Sequence, residues 1–118
     1  MSALDPVIIW NTRDPLLGRA PVEFEVELRA RLAGRVEAAY IFGSYGTADF
    51  GRDSDIDMML VVKTDKPFLD RALDYPELFR LAASLDLLVY TPEEFASLTE
   101  DPSSGFWQSA VASMRRIL

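Results

Sequence analysis

The chain of 118 residues contains no cysteine and no histidine. Without cysteine there are no disulfides, thiolate zinc sites or cysteine nucleophiles, and without histidine the commonest general base and the commonest transition-metal ligand are gone. Acid–base or metal chemistry must therefore rest on carboxylates. Long apolar runs are lacking as well, since none approaches the roughly 18 residues needed to span a bilayer. Met1-Ser2-Ala3-Leu4-Asp5-Pro6 shows neither the basic start nor the apolar stretch of a secretory leader, so the expected location is cytoplasmic, with no membrane partner. Positive charge is scarce: 12 Lys and Arg stand against 19 Asp and Glu, a net charge of −7. That balance opposes long DNA or RNA, whose affinity comes mainly from cationic side chains neutralising phosphates. A nucleotide carried in with magnesium is less affected, because the ion cancels much of the phosphate charge and part of the acidity is then the site itself. The acidity also suits a face for a basic protein partner.

What is present is enough for one domain with a real core, expected over 1–118, burying about 65% of the extended surface. Residues 1–21 hold Pro6, Pro15 and Pro21 around Val7-Ile8-Ile9-Trp10 and read as an irregular arm with one short extended piece. From Val22 to Val36 the apolar residues Val22, Val26, Leu28, Leu32 and Val36 recur at mostly helical spacing, with Pro21 suited to the first turn. Ala38 to Phe42 reads as a buried strand that stops at Gly43-Ser44, with a short helix expected from about Tyr45. Ile56 to Lys63 is a second strand, apolar on both sides and so central in the sheet. Pro67 to Ala83 reads as a helix interrupted at Pro76, with Phe68, Leu69, Ala72, Leu73, Leu78, Phe79 and Ala82 toward its buried side. Leu85 to Tyr90 is a third strand, Thr91-Pro92-Glu93-Glu94 has the capping and charge pattern of a helix start, and a final helix is expected over Phe106 to Ile117. The fold class is α+β, a small mixed sheet packed by helices.

One stretch carries chemistry. Gly43-Ser44 is followed by Asp55-Ile56-Asp57 leading into Met58-Met59-Leu60-Val61-Val62. Read as strand residues, Asp55 and Asp57 point the same way, about 6.5 to 7 Å apart. Two such carboxylates can share one or two hard cations, and magnesium is usually held by one or two carboxylates plus the phosphates of a substrate. Asp86, an acid inside Leu85-Asp86-Leu87-Leu88-Val89, is costly to bury without a partner or metal. If its strand lies beside that of Asp57, three carboxylates meet on one sheet face, which suits two-metal phosphoryl transfer. The plainer readings are an edge-strand acid for Asp86, turn and strand-entry residues for Asp55 and Asp57, and a tight turn with a helix cap for Gly43-Ser44. In the functional reading, Gly43 permits close backbone approach while amides and the Ser44 hydroxyl donate to phosphate. Arg52 is a candidate phosphate contact, although loop arginines are more often solvated. Phe106 and Trp107 read as core or interface anchors rather than base-stacking residues.

Ile41-Phe42-Gly43-Ser44 through Ser54-Asp55-Ile56-Asp57-Met58-Met59-Leu60-Val61-Val62, with Asp86 on a later strand, resembles the DNA polymerase β-like nucleotidyltransferase superfamily. More narrowly, it is similar to the stand-alone minimal nucleotidyltransferases (MNT), over about residues 24–98. The resemblance implies the fold of that superfamily. It also implies that Asp55 and Asp57 hold two magnesium ions, that Asp86 completes one shell and helps activate the acceptor hydroxyl, and that Gly43 and Ser44 grip the phosphates of ATP. Such proteins are often encoded beside a helical HEPN ribonuclease toxin and act as antitoxins, by transferring AMP onto a toxin tyrosine, by contact, or by both. Where the family commonly shows Arg-x-Arg-Gly after Gly-Ser, this chain has Tyr45-Gly46-Thr47-Ala48. That departure keeps open a binding module that neutralises by contact alone. A small-molecule enzyme of the aminoglycoside-modifying kind is a third reading, which would need a dimer or a second chain to build its acceptor pocket.

Overall fold

The computed structural model describes residues 14–118. The short extended piece expected at Val7 to Trp10 lies outside them. Helix α1 (Pro21–Leu32) starts as the sequence suggests, with Pro21 in the first turn and the Ala20 amide donating to Glu23 Oε1 at 3.1 Å. Its buried stripe, however, is Phe24, Leu28 and Leu32, spaced four apart, together with Glu25. Val22 and Val26 belong to the outer face and are exposed. The larger Phe24 ring occupies the inward position, and that choice sets the helix's rotation.

Among the described residues, strand β1 (Ala38–Phe42) runs antiparallel to β2 (Ile56–Val61) and to β4 (Arg115–Arg116), while β2 runs parallel to β3 (Leu85–Tyr90). The four form one sheet in the order β3-β2-β1-β4. The mixed α+β sheet expected from the sequence is therefore present, with β2 internal and paired on both sides. Alternation along the strands sends Ala39, Ile41, Ile56, Met58, Leu60 and Val89 to one face, where they pack with Phe24, Leu28 and Leu32 of α1. Phe42 and Met59 point to the other face, against Trp107 and Ala110. The sheet is thus the middle of three layers.

The segment after β2 departs from the single helix expected over 67–83. It forms one helical turn, α2 (Phe68–Arg71), and two 3-10 turns, Ala72–Asp74 and Pro76–Arg80, broken at Tyr75 and Pro76. Leu69 and Leu73 face solvent and Leu78 is buried. The anchor is polar. Buried Arg71 donates from Nε to the Lys66 carbonyl at 2.9 Å, and from Nη1 to the Val89 carbonyl at 3.1 Å and to Glu94 Oε1 at 2.6 Å. This fork satisfies the Val89 carbonyl at the edge of β3 and the Lys66 carbonyl in the loop before α2, a task that apolar side chains at helical spacing could not perform.

Helix α3 (Pro92–Glu100) begins as read from the sequence, with reciprocal bonds between Thr91 and Glu94. Helix α4 (Gly105–Ser113) stops short of the expected Ile117. The chain instead turns extended at Met114, and Arg115 and Arg116 pair with Ile41 and Tyr40. A two-residue strand carries no periodicity, so only the pairing with β1 reveals it. Among the described residues no helix is long and apolar enough to cross a membrane.

Leu28 is fully buried between α1 and the sheet. Leu28→Ala is expected to lower the unfolding free energy by about 3 kcal/mol in urea titrations, with the circular dichroism of the folded chain unchanged.

Candidate active site

The site begins with strand register. Parallel pairing sets Asp57 of β2 directly beside Asp86 of β3, while on the other side antiparallel pairing sets Asp57 opposite Phe42, the residue before Gly43. Along a line across the strand ends stand Asp86, Asp57 and the Gly43 turn. Asp55 precedes β2 and is exposed, so strand alternation governs Asp57 and not Asp55. Asp86 is exposed as well, on the edge strand β3, so the burial cost expected of it does not arise and its place in the site rests on its register with Asp57.

Gly43 is required by geometry on two counts. Its φ of +81° lies in the left-handed region, and a Cβ placed on it would overlap Asp57 Oδ2. Its amide donates to Ser113 Oγ at 2.9 Å, and that hydroxyl in turn donates to the Ser109 carbonyl of α4 at 3.1 Å. The expected helix after Gly43-Ser44 does not form. Thr47 bonds back to the Ser44 carbonyl through its amide at 3.0 Å and its hydroxyl at 2.6 Å, and Phe50 continues with a bond to Thr47. Gly46, at φ +78°, interrupts a right-handed path, so successive tight turns replace a helix. No helix dipole is therefore available at Ser44 for a phosphate.

Electrostatically, the acids oppose one another. The Asp57 carboxyl is pushed up to about 6 by burial, by a hydrogen bond with Asp86, and by the negative charges of Asp86 and Asp55. Among the described residues no group of three or more carboxylates stands in ready-made cation geometry. The donor set nonetheless fits a hard divalent cation. Two aligned carboxylates that repel each other are relieved by such an ion, and magnesium takes one or two protein carboxylates with phosphates filling its remaining positions.

Two hollows meet at Asp57. One, of about 550 Å³, is lined by Phe42, Asp57, Phe79, Asp86, Leu88 and Phe106 among others. Its neighbour, of about 260 Å³, is lined by Gly43, Asp57, Phe106, Ser109 and Ser113 among others. Among the described residues no lysine or arginine lines either one, nor do Ser44, Arg52 or Asp55. Of the six candidate residues, the structure thus brings together Asp57, Asp86 and Gly43. Ser44 continues the turn, Asp55 acts on Asp57 through its charge, and Arg52 lies in an exposed turn where it has other interactions. Phe106 and Trp107, alike as anchors in the sequence, part ways in the fold: Trp107 is 9% exposed in the core and Phe106 is 53% exposed as a wall of the cleft. Ser109 and Ser113 join the site without having been expected there. The spacing 106, 109, 110, 113 marks one helical face and is the signal that identifies them.

Another hollow, of about 260 Å³ and lined by Arg35, Glu37 and Lys63 among others, lies at the opposite ends of the strands, far from the acids.

Two outcomes follow from this geometry. Gly43→Ala is expected to cost on the order of 1–3 kcal/mol in urea unfolding from backbone strain alone. Adding Asp57→Ala should restore the part due to overlap and leave the strain. For pH, the folded chain holds the Asp57 proton more tightly than the unfolded chain, so this group favours folding at low pH. That contribution is lost as pH rises from 3.8 through about 6. In chelator, melting temperatures across this window should therefore fall more steeply for wild type than for Asp57→Asn; parallel curves would contradict the crowding.

Residues 27–118 match the family model described as Polymerase beta, Nucleotidyltransferase. No curated protein and no solved structure matches the chain significantly. The matched span holds the Gly43 turn, all three acids and both serines of α4, and reaches beyond the 24–98 core read from the motif. Proteins of this family generally use a divalent metal and a nucleoside triphosphate. From the register of its acids and the extent of this match, the chain belongs to the polymerase beta nucleotidyltransferase family.

Proposed function

We propose that the chain is a magnesium-dependent nucleotidyltransferase that moves AMP from ATP to a hydroxyl on a partner protein, the partner being a HEPN-type toxin and the chain its antitoxin. The observation that carries this reading is Asp57 in register with Asp86, with Gly43 closed over the Asp57 carboxylate. Asp55, Asp57 and Asp86 are the residues that would hold magnesium, which when bound neutralises charge developing on the transferring phosphoryl group. Gly43 and Ser44 would present the phosphate-facing turn, with Arg52 as an added contact. An in-line displacement places attacking and leaving oxygens on opposite sides of the phosphorus. With the leaving phosphates on the Gly43 side of Asp57, the acceptor hydroxyl enters from the Asp86 side and gives up its proton to an Asp86 carboxylate oxygen. The cleft on that side is walled by Phe79, Leu88 and Phe106. Those apolar walls suit a protein side chain better than a polycationic antibiotic.

A second reading has its own support. Tyr45, at the position where the resemblance places the first basic residue, is buried in the core and contributes no charge. A contact-only antitoxin would tolerate that loss.

Calorimetry of ATP with and without magnesium, on wild type and Asp55→Ala/Asp57→Ala, tests the first reading. Magnesium-dependent binding that disappears in the double variant is the expected result. No wild-type binding at millimolar ATP would favour contact alone. With the partner present, Asp57→Ala should abolish AMP transfer while the fold persists, and unchanged transfer would sink the metal mechanism.

A further inference from the structure

Outside the acid cleft, on the opposite face of the sheet, another set of charges gathers around one buried carboxylate. Glu25 of α1 is only 6% exposed, and its carboxylate accepts from the Tyr45 hydroxyl at 2.7 Å, from Arg115 Nη2 at 3.2 Å and from Arg29 Nη2 at 3.3 Å. Arg29 reaches on through Nε to the Ile117 carbonyl at 2.9 Å, tying α1 to the segment after β4. Burial raises the Glu25 carboxyl, but the bonds from Tyr45 and Arg115 and the charges of both arginines outweigh it and leave it below the usual carboxylate range. Burial and the Glu25 bond push the Tyr45 hydroxyl well above its ordinary value, so it remains a donor.

Tyr45 directly follows Gly43-Ser44. Its ring is held between Phe24, centroids 6.2 Å apart, and Phe50, 5.3 Å apart. The turn is therefore gripped at both ends. Ser113 holds its first amide, and Glu25 holds the side chain two residues later. Arg115, which pairs with Ile41 two positions before Gly43, joins the two grips.

We propose that Tyr45 and Glu25 are positioning residues that fix the Gly43-Ser44 turn against Asp57 from behind the sheet, and so set the affinity for the nucleotide's phosphates. The inference rests on the nucleotide reading above. Tyr45 touches no substrate; it acts by removing the freedom of a turn that has no helix to stiffen it. Binding that requires ordering a loose turn is weakened by the ordering cost, and a turn already ordered avoids it.

The test uses Tyr45→Phe, which keeps the ring and removes only the donor. Amide hydrogen exchange and calorimetric titration with Mg-ATP are measured on both proteins. Exchange at Gly43 should accelerate on the order of tenfold while Leu60, in the core of β2, keeps its protection. The Mg-ATP dissociation constant should rise on the order of three- to tenfold. Unchanged Gly43 exchange would overturn the proposal, as would faster exchange with unchanged affinity, or loss of protection at Leu60 in step with Gly43. Wild type that binds no Mg-ATP would instead overturn the nucleotide reading and with it the effect on affinity, leaving Gly43 exchange to decide whether Tyr45 fixes the turn.

Discussion

The carboxylates of Asp57 and Asp86 lie side by side on parallel strands, and like charges persist at such separation only where the backbones that carry them cannot move apart. Here β2 meets that requirement. It is paired on both edges, and Ile56, Met58, Met59 and Leu60 are fully buried on its two faces. Strand β3 depends on β2 for its ladder and on Arg71 for its outer carbonyl at Val89. Two separate kinds of interaction, close apolar packing and a charged fork, thus hold in place a repulsion that neither strand would tolerate alone.

The two faces of the sheet divide the work. The α3 and α4 side carries the acids, the aromatic wall of Phe106 and the small serines. The α1 side carries the ionic cluster around Glu25. Chemistry at the strand ends needs one face open to ligand, so the load of holding the connecting turn falls on the closed face. The Gly43 to Tyr45 turn passes from one to the other, with Gly43 beside Asp57 and Tyr45 in the core beneath.

Much of this was legible in the residues. Strands β1, β2 and β3 announced themselves by short apolar runs ending at Gly43, at Lys63 and at Thr91-Pro92, and the acid in β3 proves to be an exposed edge-strand residue in register with Asp57. Thr91-Pro92 with two following acids marked the start of α3 because capping is local chemistry. What stayed hidden depended on distant partners. The inward face of α1 turned on Phe24 rather than on the valines. The segment at 68–80 took its shape from the reach of Arg71 to Val89 and Glu94, which no spacing rule encodes. Strand β4 is two arginines that become a strand only against β1. In the site itself, carboxylates were readable as charges interrupting apolar strand runs, although Asp55 and Asp86 are exposed and Asp57 is half-buried. Phe106, Ser109 and Ser113 were not, because their role depends on where α4 docks.

The bond from the Gly43 amide to Ser113 and the pairing of Tyr40 with Arg116 join parts of the chain separated by 70 residues or more. Contacts of such high sequence separation form late, since loop closure must be met before they return anything. A ribosome-bound chain that has emerged only through β3 can already align Asp57 with Asp86, yet its Gly43 amide has no partner and Glu25 lacks Arg115. The repulsive half of the site thus forms before its restraint. Residues 105–118 then close a shaped pocket around an acidic pair that is aligned before they arrive.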